Sequence, residues 1–283
     1  MLKRNEKIDY DKIIVDKETV KVIEDAASGI FNKFNYEDKI IGENIFEILE
    51  KDSIILYYPM IDEESNGMYI DRYINGQRKH FVYINTSKPY YDQIFTAAHE
   101  LGHILGIFEI VGEKKQINED SEENIIDRFA AEILMPKNEF TKQWNIFSNG
   151  IKKDNRIKVI DFLQAVTKQM ILFKVSFAST MLRLAELKIY NKEFLNKLFL
   201  IVDTNLVYES VQRFLVEYNS NIDIPTSKKY ITGLYDTINE KKEYCGIDNL
   251  NILEIIKYFE LNINTINGDI NKEILSEKFE CKY

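Results

Sequence analysis

The pentapeptide His99-Glu100-Leu101-Gly102-His103 constrains this chain more than any other stretch. Its flanks supply apolar residues at Ile94, Phe95, Ala97, Ala98, Leu101, Ile104 and Leu105, and no proline interrupts them, so the segment predicts a helix. On a helix, residues four apart stand one above the other on a single face, and two imidazoles so placed can reach one metal ion at about 2.0–2.1 Å each. Glu100 follows the first histidine and falls beside the ion, where it can take a proton from a metal-activated water as general base. Gly102 costs roughly 1 kcal/mol against alanine inside a helix, a cost that close approach by a substrate or another backbone would offset.

Two histidines leave an ion half held, so the reading turns on a third ligand. Residues 122–136 read as an amphipathic helix, with Ser121 as N-cap and Pro136 as its stop. Glu123 and Asp127 lie one turn apart on one face. Glu123 completes a two-histidine, one-carboxylate set with the fourth position open to water. Asp127 can accept the N–H of a ligand histidine, His99 being the expected one, and so fix its tautomer. Glu109, Glu113, Glu119, Asp120, Glu122 and Glu132 compete for the ligand role. Only Glu123 has an aspartate one turn on, followed by the small Ala130 and Ala131 that allow close helix packing.

Phe95-Thr96-Ala97-Ala98-His99-Glu100-Leu101-Gly102-His103, followed by Glu123, Asp127 and the run from Phe129 to Pro136, resembles the ImmA/IrrE metallo-endopeptidases. The likeness is clear over residues 40–140 and weaker to about residue 200. It implies a gluzincin-like core, zinc as the metal with manganese as another candidate, and cleavage of a protein target. The target class it implies is a helix-turn-helix transcriptional repressor. One departure stands out: Ile126 occupies a position where the family often has alanine, and it bears on helix packing more than on the ligands.

The expected fold class is α+β. A zincin-like peptidase domain over 1–148 has a small antiparallel sheet beside the metal helix. A helix-turn-helix-like unit over 149–200 and a helical C-terminal unit of unread role over 201–283 follow. Two amphipathic helices are expected within 16–50. Strands are expected at 53–59, 68–74 and 80–85, with Asn75-Gly76 as a hairpin turn. An extended substrate can add to the edge of such a sheet and lay one peptide bond over the metal. The donor that would steady the developing oxyanion is left open among His80, Tyr69, Tyr73, Tyr83 and Arg72.

The chain has 283 residues, is 45% apolar and carries a net charge of −9, a balance that argues against general affinity for nucleic acid or anionic membrane. The charge is uneven: residues 150–200 carry 10 basic and 4 acidic side chains. Together with the helix-turn-helix-like segment 175–187, this keeps a second class in view, a non-catalytic DNA-binding transcriptional regulator with a structural metal. Direct DNA contact is disfavoured, because Arg183 is nearly alone among base-reading side chains there. The charged start of the chain, the absence of 18 consecutive apolar residues, and only Cys245 and Cys281 as thiols predict a cytoplasmic protein without a membrane partner or disulfide.

Overall fold

A computed structural model describes residues 8, 10, 16–36, 40–61, 64–114, 121–150, 152–153, 156–201, 204–245 and 249–259. The expectations for residues 1–7, Glu119, Asp120 and Cys281 lie outside them, as does the side chain of Cys245.

Two helices open the described chain, α1 (Lys17–Lys33) and α2 (Ile45–Asp52). Asp16 caps α1 by accepting from the Thr19 amide at 2.8 Å. The apolar stripe of α1, Val22, Ile23, Ala27, Ile30 and Phe31, is buried. Three strands follow, β1 (Ser53–Tyr58), β2 (Gly67–Ile74) and β3 (Gln77–Asn85). Asn75 and Gly76, both at positive φ, make the two-residue turn between β2 and β3. Then come α3 (Tyr90–Ile104), α4 (Ile107–Lys114), α5 (Glu122–Leu134) and α6 (Lys137–Phe147). A two-residue pair, β4 (Lys152–Lys153) with β5 (Arg156–Ile157), leads into α7 (Val159–Phe173), α8 (Phe177–Glu186), α9 (Lys192–Ile201) and α10 (Thr204–Glu217). The described chain ends with β6 (Tyr230–Ile231), α11 (Leu234–Cys245) and α12 (Asn249–Phe259).

The sheet is mixed rather than antiparallel. Its order is β2-β3-β1-β6, with β1 parallel to β3 and the other pairs antiparallel. The reason is where the hairpin lands. The chain leaves β1, crosses to the far edge as β2, and returns as β3 in the middle, beside β1 and in its direction. Asn85 makes that short crossing possible. Its buried side chain accepts from the Met60 amide at 3.1 Å and donates to the carbonyls of Met60 and Ser65 at 3.0 Å each. The Asn85 amide meets the Asn66 carbonyl at 2.9 Å. Loop backbone that would otherwise be buried without partners is thereby satisfied.

The C-terminal part is not wholly helical, since β6 pairs with the outer edge of β1. Residues 222–232 are stitched to the loop that precedes α3 and to the first turn of α3 itself. The Tyr91 amide bonds the Ile222 carbonyl at 2.9 Å, the Ser227 amide bonds the Thr86 carbonyl at 3.0 Å, and the Thr226 hydroxyl donates to Gln93 at 2.9 Å.

One face of the sheet, with Ile55, Tyr57, Val82 and Ile84, packs on Ile94, Ala97, Ala98 and Leu101 of α3 within a core that takes in α5. That core runs without a break past residue 148, where the sequence suggests a boundary, and through α7, α8 and α10 to Ile222. Trp144 of α6, for instance, meets Phe162 of α7 edge to face at 5.7 Å. A smaller cluster of Ile238, Ile252 and Ile256 lies apart. No single helix among the described residues is long and apolar enough to cross a membrane.

Candidate metal centre

Helix α3 presents His99 and His103 on one face, with their Nε2 atoms 3.2 Å apart. Helix α5 faces them. Glu123 brings Oε2 to 3.2 Å from Nε2 of His99 and Oε1 to 3.8 Å from Nε2 of His103. Two ligands each about 2.0–2.1 Å from a shared tetrahedral ion stand roughly 3.3 Å apart. The separations therefore fit one ion between three ligand atoms. These are the one group of three such residues that meets this spacing among the described residues.

The outer nitrogens are held by carboxylates. Nδ1 of His99 lies 2.9 Å from Oδ1 of Asp127, as the one-turn spacing predicts, which makes Nδ1 the protonated atom and leaves Nε2 free to ligate. Glu122 stands beside the outer nitrogen of His103, 3.4 Å from Nδ1, a charge contact longer than the Asp127 hydrogen bond. From sequence, Glu122 counts only among the competing ligands. Of the other competitors, Glu109 lies close enough to act on the charge of His103, and Glu132 is engaged elsewhere. Ser121 precedes α5 as expected, but its hydroxyl makes no capping bond to the helix.

The approach of α5 to α3 depends on Gly102. A Cβ there would lie 3.0 Å from Cγ2 of Ile126 and 3.1 Å from Cδ1 of Phe129, both fully buried. The close neighbour is thus the opposite helix, and Ile126 fills the space above the glycine.

Glu100 points to the sheet side and is 6% exposed. Burial pushes its carboxyl up, the positive charge available to His99 draws it down, and Glu123 raises it further, leaving it at about 7. Burial lowers His99, but the hydrogen bond and charge of Asp127 outweigh that, so His99 is raised overall. Burial and the neighbouring His99 lower His103. The first residue of β2 stands against this base: a Cβ on Gly67 would lie 3.5 Å from Oε1 of Glu100 and 2.4 Å from Cγ2 of Thr96.

Of the five candidate oxyanion donors, two come to the site. The ring of Tyr69 stacks on His103 with centroids 6.1 Å apart and planes at 7°, and its hydroxyl is 2.8 Å from Nδ1 of His80. Tyr83 points to the opposite face of the sheet, where its hydroxyl donates to the Tyr58 carbonyl at 3.2 Å. Arg72 donates to the Asp71 carbonyl, also away from the site, and Tyr73 is 75% exposed.

A buried ionic cluster behind α5 has no counterpart in the sequence reading. Glu132 of α5 meets Arg183 of α8 at 2.6 Å and Arg128 at 2.9 Å, and Glu186 pairs with both arginines. The Arg183 side chain is 0% exposed. The one arginine that could have read bases from α8 is therefore spent inside the protein.

Residues 55–184 match the IrrE N-terminal-like domain family. No curated protein and no solved structure matches the chain. Over the span from β1 to α8, which carries both helices of the candidate metal centre, the chain is similar to the IrrE N-terminal-like domain family, a match that supports the resemblance to the ImmA/IrrE peptidases.

Proposed function

We propose that the chain is a metal-dependent endopeptidase that cleaves a regulatory protein, the family resemblance pointing to a helix-turn-helix transcriptional repressor. The observation that carries this reading is the convergence of Nε2 of His99, Nε2 of His103 and the carboxylate of Glu123 to one ion's spacing, with a buried carboxyl, Glu100, alongside. A divalent ion bound there, zinc or manganese, supplies Lewis acidity to the scissile carbonyl and lowers the pKa of a bound water from about 15.7 toward 7.

The protein's own groups do the rest. Asp127 orients the His99 imidazole through its Nδ1 atom, and the Glu122 carboxylate stands beside Nδ1 of His103. Glu100 accepts a proton from the attacking water and returns it to the leaving amine, a shuttle suited to a buried carboxyl one residue along from the ligand His99. Tyr69, whose ring stacks on His103, and His80, hydrogen-bonded to the Tyr69 hydroxyl, are the candidates on the strand side for steadying charge on the carbonyl oxygen. The absence of a long apolar helix among the described residues fits action in the cytoplasm.

The test is co-expression with candidate helix-turn-helix repressors, with any cut mapped by mass spectrometry. Glu100→Gln should keep its metal and lose cleavage, because only the base is removed. Cleavage that persists in this variant, or in protein stripped of metal by a chelator, sinks the reading.

A further inference from the structure

The first turn of the metal helix is closed by backbone from far along the chain. Pro89 precedes α3 without a side-chain cap, so the helix amides at this end need other acceptors. The Tyr91 amide finds the Ile222 carbonyl at 2.9 Å, and Pro89 and Pro225 form a short antiparallel bridge beside it. Gln93, 2% exposed, uses its whole side-chain amide. Its Nε2 donates to the carbonyls of Thr86 at 3.3 Å and Lys88 at 2.8 Å, and its Oε1 accepts from the Thr226 hydroxyl at 2.9 Å.

Residues 222–232 are in turn fastened to the sheet. The Thr86 hydroxyl donates to the Lys228 carbonyl at 2.8 Å. The Lys228 ammonium lies 4.1 and 4.7 Å from the ring centres of Tyr57 and Tyr230. Thr232 donates its amide to the Ile55 carbonyl at 3.0 Å, and its hydroxyl accepts from the Ile55 amide at 2.8 Å. This clasp lies outside residues 55–184, the span that matches the family.

Gln93 stands seven residues before Glu100, two turns back on the same face of α3. Gly102, where α5 presses on α3, is a second point at which the helix is held. By helix rise, Gln93 lies roughly 13 Å from Gly102, and His99 about 4.5 Å. A tilt about Gly102 that moves Gln93 by about 1 Å therefore carries His99 by about 0.3 Å. Metal–ligand distances hold to about 0.2 Å, so a metal centre feels such a tilt.

Resting on the metal-centre reading above, we propose that Gln93 is a positioning residue for His99 and Glu100, and that residues 222–232 act on the metal helix through it. The clasp sets the angle at which α3 meets α5. The C-terminal part of the chain is thereby a working part of the metal centre, although it contributes no ligand to it.

The experiment reads the metal rather than cleavage. Full-length protein and its variants are compared for zinc affinity, by competition with a chromophoric chelator, and for the visible spectrum after cobalt(II) substitution. Losing a group bonded directly to a ligand histidine lowers affinity about 10–100-fold, and Gln93→Leu, one step further out, should lower it about fivefold. Thr226 is exposed, so substitutions there leave the fold intact. Thr226→Val should weaken zinc binding and shift the cobalt bands in the same direction as Gln93→Leu. Thr226→Ser keeps the hydroxyl and should match wild type. Because both changes break one bond, Thr226→Val added to Gln93→Leu should cause no further loss. Phe162→Leu, a core change in α7 that lowers stability away from the clasp, should leave zinc affinity and cobalt bands unchanged.

Zinc affinity and cobalt bands that stay unchanged in either Gln93→Leu or Thr226→Val overturn the proposal. So does an effect of Phe162→Leu as large as theirs, because general loosening would then account for it. Strictly additive losses in the double variant also overturn it, since the clasp would then act by another route. Wild-type protein that takes up neither ion removes the metal centre and this proposal with it. Wild-type protein that holds zinc yet cleaves no protein defeats the endopeptidase reading alone.

Discussion

Gly102 and Ile126 are in contact across the two helices that carry the candidate ligands, and a Cβ on the glycine would stand 3.0 Å from Cγ2 of the isoleucine. Gly102→Ala would gain roughly 1 kcal/mol of helix propensity. Overpacking against two fully buried neighbours costs about 1–3 kcal/mol, so a net loss of stability is expected. Because the residue adjoins His103, the displaced helix should carry Glu123 away and weaken metal binding as well. Calorimetry with and without zinc reads both effects. In a double-mutant cycle with Ile126→Ala, the two changes should couple favourably by at least about 0.5 kcal/mol. Strict additivity would show that the helices have room to spare.

The two Nδ1 contacts differ in length, 2.9 Å for Asp127 on His99 and 3.4 Å for Glu122 on His103. Removing a carboxylate that orients a ligand histidine typically lowers metal affinity 10–100-fold. Asp127→Ala should fall in that range, and Glu122→Ala should lose less, following the longer contact. Competition with a chromophoric chelator measures both. The reverse order would make His103 the ligand whose orientation matters.

Most of the candidate site was legible in the sequence because its information is local. His99 with His103, and Glu123 with Asp127, are each one helical turn apart, and only the docking of α5 on α3 had to be supplied by the fold. The hairpin was legible for the same reason, since Asn75-Gly76 names its turn directly. The parallel pairing of β1 with β3 was not, because strand order depends on contacts that no window of sequence contains. The burial of Arg183 is illegible for the same reason. Its partner Glu132 lies 51 residues away, so a buried ion pair reads from sequence as an exposed basic side chain.

Asn85 was passed over as the last residue of a strand, yet it is fully buried and holds the crossing from β1 to β2. Asn85→Ala would leave the Met60 amide and the carbonyls of Met60 and Ser65 without its side chain. An orphaned buried polar group costs about 1–3 kcal/mol. A loss of roughly 3 kcal/mol in urea denaturation is expected. Asn85→Asp should not restore it, since the two donated bonds are still missing and a charge is buried instead. Wild-type stability in either variant would mean that water replaces the amide without penalty.

The buried cluster behind α5 predicts a defined response to acid. Burial pushes the Glu132 carboxyl up, but the charges of Arg183 and Arg128 more than reverse this and hold it below the ordinary carboxylate range. A carboxyl whose folded pKa is depressed contributes stability that is complete above its unfolded pKa, about 4.3, and is lost as pH falls from there through the folded value. The deficit of Glu132→Gln relative to wild type should therefore be flat from pH 7 to about 5 and shrink below about 4.3. A deficit that stays constant through the acid range would mean that the carboxylate's charge contributes nothing. Arg183→Met leaves Glu132 and Glu186 with Arg128 alone, and breaking a buried pair from one side costs about 3–5 kcal/mol. Helix α5 carries this cluster together with Glu123 and Asp127. A folded Arg183→Met protein should thus bind zinc more weakly than wild type although no ligand has changed, and unchanged affinity would separate the cluster from the metal centre.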